Sequence, residues 1–573
     1  DGDTAIWEAG AELASMGSGS RHIYTFMTSQ AQKKQTFSSS NAALKTQLAS
    51  QWEEDQTETG DIIEFIRGNT ANDGIKYRTR DGWILGDIAY STPMYVGPSK
   101  FYYSEHNYQA FKTSNATRTP IIYVGANDGM LHAFRASNGS EEWAFIPENI
   151  QPNLKSLTTS DCHSYFVDLP PIAADIYDGS IWRTILIGGN RFGGEEYFCL
   201  DITNPSHDQF IALWDTIPFS DRKSSIAPFV GKMKGNGIDK WLAIISSGYH
   251  EGTSAGKIAA LNFSDGAKEQ IWHDGTNYAD ELTTQPKGAD SPYYTLSSPV
   301  GVDSDLDGYL DLIYAGDTEG SLWKFYYDYV SQVWKKVEIF QTNGEPITAR
   351  PTLAFDKPVC DVEAKLRIYF GTGKYSVQGD KADETQGAFY CLVETRVTTG
   401  DANNGHYTSI TPLLKNSDLK DVTTIVTNSA FGLLSEDERE KIENKGWYFN
   451  LDQPSGPAER VISEGVVISE VVFFTSFVPN SDVCGYGGTS RLYAVDFQTS
   501  LPASNNNSPV LDGIDDDERY KELGEGLPSK PIYYFDKTNK ESELLVQTSD
   551  TNFHEETINV EGRPIAVKSW RNW

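Results

Sequence analysis

Four aspartates stand close together in the segment GVDSDLDGYLDLIYAG, which covers residues 301–316. Counted from the first aspartate, they occupy positions 1, 3, 5 and 9, and a glycine occupies position 6. A hard divalent cation such as Ca²⁺ takes six to eight oxygen ligands, and alternating acids on a tightly turned loop can point their carboxylates inward. The backbone carbonyl at position 7 can add another oxygen. The spacing predicts a calcium site formed by Asp303, Asp305, Asp307, Tyr309 and Asp311.

The flanks of this loop predict strands rather than helices. In an EF-hand, position 12 is a glutamate, but here it is Tyr314, which already belongs to the next apolar run. Asp311 must therefore close the predicted site, and Gly308 permits the sharp bend. A β-hairpin loop of this kind resembles the calcium loops of FG-GAP propellers. The alternative is an acidic turn that binds nothing.

The loop lies within one of a series of short β-rich runs that repeat along the chain. The first half of each repeat is a strand that follows a proline, at Pro93, Pro171, Pro228, Pro299, Pro351 and Pro531, or Gly465 in one copy. The second half is an apolar strand that ends in a small residue, a turn and another apolar strand, as in IIYVGANDGMLHAF at residues 121–134. Seven copies of a unit with three or four strands predict an all-β protein, a modified seven-bladed β-propeller with quinoprotein-like or FG-GAP-like blades.

The first 80 residues have a different pattern, which predicts a short helical lead-in that packs on the propeller. Leu44, Leu48 and Trp52 share one face of a predicted helix with Ser40 as its N-cap, and a second helix is predicted over 61–67. The propeller is expected over residues 81–573, with insertions between blades near 395–460 and 505–525. The first insertion contains a capping box, SEDE at residues 435–438, which predicts a further helix.

Composition excludes several classes of partner. The chain has 573 residues with 48 basic and 80 acidic side chains, a net charge of −32, which argues against nucleic acid as a partner. No apolar run approaches the roughly 18 residues of a transmembrane segment. The absence of an initial Met and of a leader predicts a mature form or a fragment.

Five scattered cysteines suit one or two disulfides of an exported protein, or buried thiols, and the repeat positions of Cys199 and Cys391 favour burial.

A second motif raises the alternative of an enzyme. AFRASNGSEEW, from Ala133 to Trp143, resembles the blade-docking repeat of quinoprotein propellers, although Arg135 replaces an Asp and Asn138 a Thr. Quinone-dependent dehydrogenases of that kind usually carry a vicinal Cys-Cys pair, which this chain does not have. The sequence therefore predicts a protein without enzymatic activity. The alternatives are a quinoprotein-like periplasmic dehydrogenase and a purely adhesive binding module.

Several longer segments together resemble the PilY/PilC family of type IV pilus tip proteins. They are GWILGDIAYSTPMYVG from Gly82, IIYVGANDGMLHAFRASNGSEEWAFIP from Ile121, WEAGAEL at Trp7, DIIEFIRG at Asp61, YFGTGKY at Tyr369, GWYFNL at Gly446, FVPNSDVCGYGG around Cys484 and SWRNW at Ser569. The resemblance covers nearly the whole chain, and it implies the C-terminal propeller domain of such a protein, with one calcium in the loop from Asp303 to Asp311.

The resemblance also implies a function and a location. The expected roles are support of pilus assembly, restraint of pilus retraction, twitching motility and surface adhesion. Expected partners are pilins or minor pilins at the pilus tip, and host or abiotic surfaces. The expected location is the pilus tip or cell surface of a Gram-negative bacterium, associated with the outer membrane after export. In this family a large N-terminal region precedes the propeller, so the chain is expected to be the C-terminal domain alone.

Overall fold

The structure, a computed structural model, is built mainly of short antiparallel strands. It describes residues 6–159, 163–220, 222–249, 255–285, 294–376, 378–398, 401–408, 413–452, 456–480, 487–505, 508–511, 513–536, 541–550 and 552–558. Cys162, one of the five scattered cysteines, lies outside these residues, as do Cys484 and the closing SWRNW motif. Contacts divide the chain into two compact units, the first mainly before Gln270 and the second mainly from Gln270 onward. Gly231–Ile238 also belongs to the second unit.

The first 80 residues contain the predicted helices and, in addition, two strands. The helices are α1 (Ala9–Ser15), α2 (Ala42–Trp52) and α3 (Gln56–Ile66). The N-cap of α2 is Asn41 and not the predicted Ser40, because the Asn41 side chain accepts the hydrogen bond from the Leu44 amide at 3.2 Å. The helix predicted from Asp61 begins at Gln56, because Asp55 caps it.

The two strands of this segment join the first sheet. The strands of that sheet are β1 (Ile23–Phe26), β2 (Lys34–Thr36), β3 (Met94–Val96), β4 (Ile121–Ala126), β5 (Met130–Arg135) and β6 (Glu141–Ile146). Their order is β2–β1–β6–β5–β4–β3, and β1 pairs in parallel with β6. The sequence predicted the helices of this lead-in but missed these two strands, because the short run IYTF has no alternation long enough to mark a strand.

Four further sheets follow along the chain as far as Asn450. Their strands are β7 (Ile172–Tyr177), β8 (Trp182–Gly189), β9 (Tyr197–Asp201), β10 (Ile211–Thr216), β11 (Phe229–Gly235), β12 (Ile238–Ser246), β13 (Gly256–Asn262), β14 (Trp272–His273), β15 (Tyr278–Ala279), β16 (Glu281–Thr284), β17 (Val300–Val302), β18 (Leu312–Gly316), β19 (Ser321–Asp328), β20 (Val333–Gln341), β21 (Thr352–Phe355), β22 (Leu366–Gly371), β23 (Ala388–Glu394), β24 (Leu414–Lys415), β25 (Lys420–Asp421) and β26 (Gly446–Asn450). The strand orders are β10–β9–β8–β7, β11–β12–β13–β16, β15–β14–β20–β19–β18–β17 with β24 beside β20, and β21–β22–β23–β26–β25.

The last part of the chain forms two more sheets and a two-stranded ribbon. The strands are β27 (Val466–Ile468), β28 (Val471–Pro479), β29 (Gly488–Asp496), β30 (Ser504–Asn505), β31 (Ser508–Pro509), β32 (Tyr520–Glu525), β33 (Ile532–Asp536), β34 (Glu541–Gln547) and β35 (Phe553–Thr557). The orders are β27–β28–β29–β32 and β33–β34–β35, and β30 pairs with β31. The remaining helices are α4 (Tyr108–Ser114), α5 (Asn428–Gly432) and α6 (Glu436–Asn444), with 3₁₀ turns at Ser18–Ser20, Glu148–Thr158, Gln378–Ala382 and Asn416–Asp418.

Each of the seven predicted repeat copies corresponds to one sheet of three or more strands. The strands that begin one residue after the predicted prolines or after Gly465 are β3, β7, β11, β17, β21, β27 and β33. Each of them is the terminal strand of its sheet. Proline has no backbone N–H to donate, so it is tolerated at the start of an edge strand. The all-β prediction and the repeat boundaries are therefore confirmed.

The two predicted insertions lie within sheets rather than between them. Strand β26, at the end of the segment 395–460, pairs with β23 of the fifth sheet, and β32 pairs with β29 of the sixth. The long connections separate the third strand of a sheet from its fourth, a connection that the local pattern cannot distinguish from one between sheets. The predicted capping box is confirmed, because Ser435 and Glu438 exchange side-chain to backbone hydrogen bonds at the start of α6.

Large apolar side chains from the sheets form the cores of both units. Among the residues that the structure describes, the fully buried tryptophans are Trp143, Trp272, Trp334 and Trp447. Cys199 on β9 and Cys391 on β23 are free and buried, as their repeat positions predicted. Burial raises the pKa of Cys391 to about 11, so its thiol stays protonated and unreactive at neutral pH.

Candidate metal centre

The predicted acidic loop connects β17 to β18 in the second unit. These strands pair antiparallel with Val302 opposite Leu312, so the loop closes a β-hairpin as the sequence predicted. Gly308 has a φ of 94°, a left-handed conformation that side chains rarely adopt, and Leu306 adopts a φ of 64° in the same loop. These two residues curl the chain tightly enough to bring its acids together.

Three of the four predicted aspartates converge. Asp303, Asp305 and Asp311 each offer one carboxylate oxygen, and these oxygens all lie within 4.8 Å of one another. Asp303 and Asp311 are buried, with 5% and 1% of their surface exposed, and Asp305 is half-buried. Three anionic groups so close, two of them out of contact with water, repel each other unless a cation or protons compensate them.

The fourth aspartate and the tyrosine lie at the exposed rim of the loop. The Asp307 carboxylate binds Lys234 Nζ and accepts a hydrogen bond from the Tyr309 amide at 2.9 Å. Lys234 Nζ also lies 4.9 Å from the centre of the Tyr309 ring. Asp307 is therefore neutralised by a lysine of the protein and is not part of the converging group. A ligand role for Asp307 and for the Tyr309 carbonyl remains a prediction.

The environment of the buried acids favours their neutral forms. Burial, with the charges of Asp305 and Asp307, raises the pKa of Asp303 to about 6, although the Gly308 amide donates to its Oδ2 at 2.9 Å. Burial and the Asp305 charge raise the pKa of Asp311 to about 7. Asp303 Oδ1 is buried without a hydrogen-bond partner among the described residues. A buried carboxylate oxygen of this kind is costly unless a cation occupies the site.

Other residues hold these acids from outside the predicted motif. The Ser304 amide and hydroxyl donate to Asp311 Oδ2 at 2.7 and 2.9 Å. The Tyr329 hydroxyl shares its single proton between Asp311 Oδ1 and, at 3.2 Å, Asp305 Oδ2. His406 Nδ1 lies 3.7 Å from Asp305 Oδ2. Tyr329 and His406 could not be found from the motif, because both lie outside it and only the fold brings them to the loop.

The centre fits a hard cation better than a softer one. Its converging groups are carboxylate oxygens, which suit calcium, magnesium or manganese rather than zinc or copper. The buried Asp303 oxygen, which has no partner within the described ranges, and the convergence of three acids meet the chemical requirement for such an ion. Further ligands would have to come from backbone carbonyls or water, as is usual for calcium loops.

Comparisons with known proteins show what the chain is similar to. The family model of the PilY1 β-propeller domain matches residues 85–362. The type IV pilus biogenesis factor PilY1 of Pseudomonas aeruginosa strain UCBPP-PA14 is 28% identical over 564 residues, which cover 86% of this chain and 46% of that protein. The crystal structure of the Pseudomonas aeruginosa PilY1 C-terminal domain superposes with a TM-score of 0.60 at 23% identity, covering 81% of this chain and 99% of that one. The chain is therefore similar to PilY1 proteins over most of its length.

The PilY1 relatives are longer proteins. A PilY1 homologue from Xylella fastidiosa strain Temecula1 is 29% identical over 454 residues, which cover 76% of this chain and 34% of that protein. The chain thus spans about half or less of the curated relatives that it matches. These relatives are described as pilus biogenesis factors rather than as enzymes, and they come from Gram-negative bacteria. Among the described residues, no helix is long and apolar enough to cross a bilayer.

Proposed function

We propose that this chain is a calcium-binding propeller domain that acts in type IV pilus biogenesis. The observation that carries the calcium proposal is the convergence of Asp303, Asp305 and Asp311 within 4.8 Å, with a buried Asp303 oxygen that has no hydrogen-bond partner in the described part of the chain. Calcium would compensate the repulsion among these carboxylates and fix the hairpin loop. We retain Asp307 and the Tyr309 carbonyl as further candidate ligands at the rim of the same loop.

The pilus role is supported by the relatives, which are described as type IV pilus biogenesis factors. We propose that the domain acts at the pilus tip or the outer cell surface after export. There it would contact pilins or minor pilins, support assembly and counteract retraction, and thereby contribute to twitching motility and to adhesion to host or abiotic surfaces. Calcium would regulate these contacts by ordering the loop.

We also infer that the seven sheets are the blades of a seven-bladed ring. The number of sheets supports this, as does the position of each post-proline strand at the edge of its sheet. Closure would protect sheet faces that otherwise meet water. Two-dimensional class averages from electron microscopy should show a closed ring with seven-fold modulation. An open arc, or a ring of another blade number, would disprove this inference.

Titration calorimetry tests the calcium proposal. Asp311→Asn keeps the size of a ligand and removes its charge, so the calcium affinity should fall by more than about 100-fold, beyond the effect of losing an outer hydrogen bond. Asp437→Asn, at an exposed position of α6, is the matched control and should bind calcium as the wild type does. Unchanged affinity in Asp311→Asn would refute the assignment of the site.

Complementation in the source bacterium tests the cellular role. A strain that carries Asp311→Asn in the full-length protein should show altered numbers of surface pili and smaller twitching zones than a strain that carries Asp437→Asn. Normal piliation and twitching with lost calcium affinity would remove the regulatory role of the ion. Deletion of the gene with normal piliation, but with lost attachment to surfaces, would instead support a purely adhesive module.

A further inference from the structure

A tyrosine outside the acidic loop contacts two of its converging carboxylates at once. Tyr329 lies in the turn between β19 and β20, and the single proton of its hydroxyl is shared between Asp311 Oδ1 and, at 3.2 Å, Asp305 Oδ2. The hydroxyl therefore bridges the two carboxylates and fixes their mutual orientation. Ser304 holds the other oxygen of Asp311, so Tyr329 and Ser304 together hydrogen-bond both of its carboxylate oxygens.

The same tyrosine also contacts a second segment, residues 401–408. The ring of Tyr329 stacks on the ring of His406, with centroids 3.7 Å apart and planes 16° from parallel. The Tyr329 amide donates to Asn403 Oδ1 at 3.0 Å, and Asn403 Nδ2 donates to Asp328 Oδ1 at 3.1 Å. Segment 401–408 is thus docked on the residue that orients the acids.

A guanidinium makes a parallel connection between the segment and the loop. Arg396 Nη1 donates to the Gly405 carbonyl at 2.9 Å, and its Nη2 lies 3.4 Å from the Ser304 carbonyl, to which it donates. Ser304 is the residue that holds Asp311. Two independent chains of contacts, one through Tyr329 and one through Arg396, therefore run from the acids to the same short segment.

We propose that Tyr329 is a positioning residue for the cation and couples cation binding to the docking of segment 401–408. The inference rests on the proposed calcium function and adds the regulation of that site. Carboxylates that ligate a metal are oriented by hydrogen bonds from outer partners, and loss of one such partner typically lowers the metal affinity about 10- to 100-fold. Coupling between two sites is reciprocal, so calcium must favour the docked segment by the same factor by which docking favours calcium.

Titration calorimetry with calcium tests the positioning role. Tyr329→Phe keeps the ring and removes the hydroxyl, and its affinity should fall about 10- to 100-fold. Tyr327→Phe makes the same change two residues earlier on β19, where the ring lies 5.2 Å from that of Tyr329, and it should bind as the wild type does. Unfolding of each variant in a chelator shows whether the change has merely loosened the fold.

Hydrogen exchange of segment 401–408 tests the coupling. The amides of Gly405 and His406 donate to the Val397 and Asn403 carbonyls, so their exchange reports the order of the segment. Calcium should slow this exchange in the wild type but not in Tyr329→Phe. His406→Ala keeps the hydroxyl and loses the stack, so it should bind calcium several-fold more weakly and lose the calcium effect on exchange.

The possible outcomes separate this inference from the proposed function. If the wild type binds no calcium, both are overturned. If the wild type binds calcium and Tyr329→Phe binds equally well, the positioning role is overturned while the calcium site stands. If the affinity falls in Tyr329→Phe but calcium leaves the exchange of segment 401–408 unchanged in the wild type, the coupling is overturned.

Discussion

The pH dependence of calcium binding follows from the two buried acids of the loop. Both carboxyls must lose their protons before they can bind a cation, so protons compete with calcium. With a pKa of about 6 for Asp303 and about 7 for Asp311, protons weaken binding little at pH 7.5 and strongly at pH 5.5. Each carboxyl weakens calcium binding by a factor that depends on how far the pH lies below its pKa. The product of these two factors is about 1.4 at pH 7.5 and about 140 at pH 5.5, so the affinity should fall about 100-fold over this range.

Calorimetry in buffers with different heats of ionisation measures both the affinity and the protons released. At pH 6.5, Asp303 is about one-quarter and Asp311 about three-quarters protonated, so about one proton should leave for each calcium bound. At pH 7.5 the number should fall to about 0.3. An affinity that is constant between pH 5.5 and 7.5, with no proton release, would refute the reasoning, because the acids would then be fully ionised before the cation arrives.

Three further substitutions test the electrostatics and the packing. Lys234→Met removes a positive charge from the rim of the loop. It should raise the calcium affinity about fivefold at low salt and by a smaller factor at high salt, which calorimetry at two ionic strengths measures. Glu141→Ala leaves the buried Arg21 guanidinium without its partner and should lower the free energy of unfolding by about 3–5 kcal/mol in urea titrations; a loss under about 1 kcal/mol would contradict this. In Gly446→Ala, where φ is 118° and an added Cβ would clash with the Cys391 carbonyl, the free energy of unfolding should fall by more than about 2 kcal/mol. In Gly432→Ala, where an added Cβ meets no described atom within 4 Å, it should change little.

The repeat pattern predicted much of the fold because it depends on local chemistry. Proline marks edge strands, and alternating apolar runs that end at small residues mark the inner strands, so the seven sheets could be located from the sequence. The strand β1 was missed because its partner β6 lies about 120 residues away and contributes nothing to the local pattern. The fourth strands β26 and β32 were assigned to insertions for the same reason.

The acidic loop shows the same division between local and distant information. Its hairpin and the convergence of Asp303, Asp305 and Asp311 follow from spacing within nine residues. Spacing cannot show that Lys234 neutralises Asp307, because Lys234 is brought to the loop from a different sheet. Tyr329 was likewise missed because its hydroxyl reaches the loop from a neighbouring turn.

The parallel pairing of β1 with β6 determines where the chain can be cut for recombinant work. A fragment that starts at residue 81 would lose β1 and leave the edge of β6 unpaired, although all six residues of β6 are buried in the intact protein. Trp52 would also be lost, and with it the indole hydrogen bond to the Gln151 carbonyl at 2.8 Å. Unpaired strand edges recruit other chains, so such a truncation should yield inclusion bodies rather than a usable reagent.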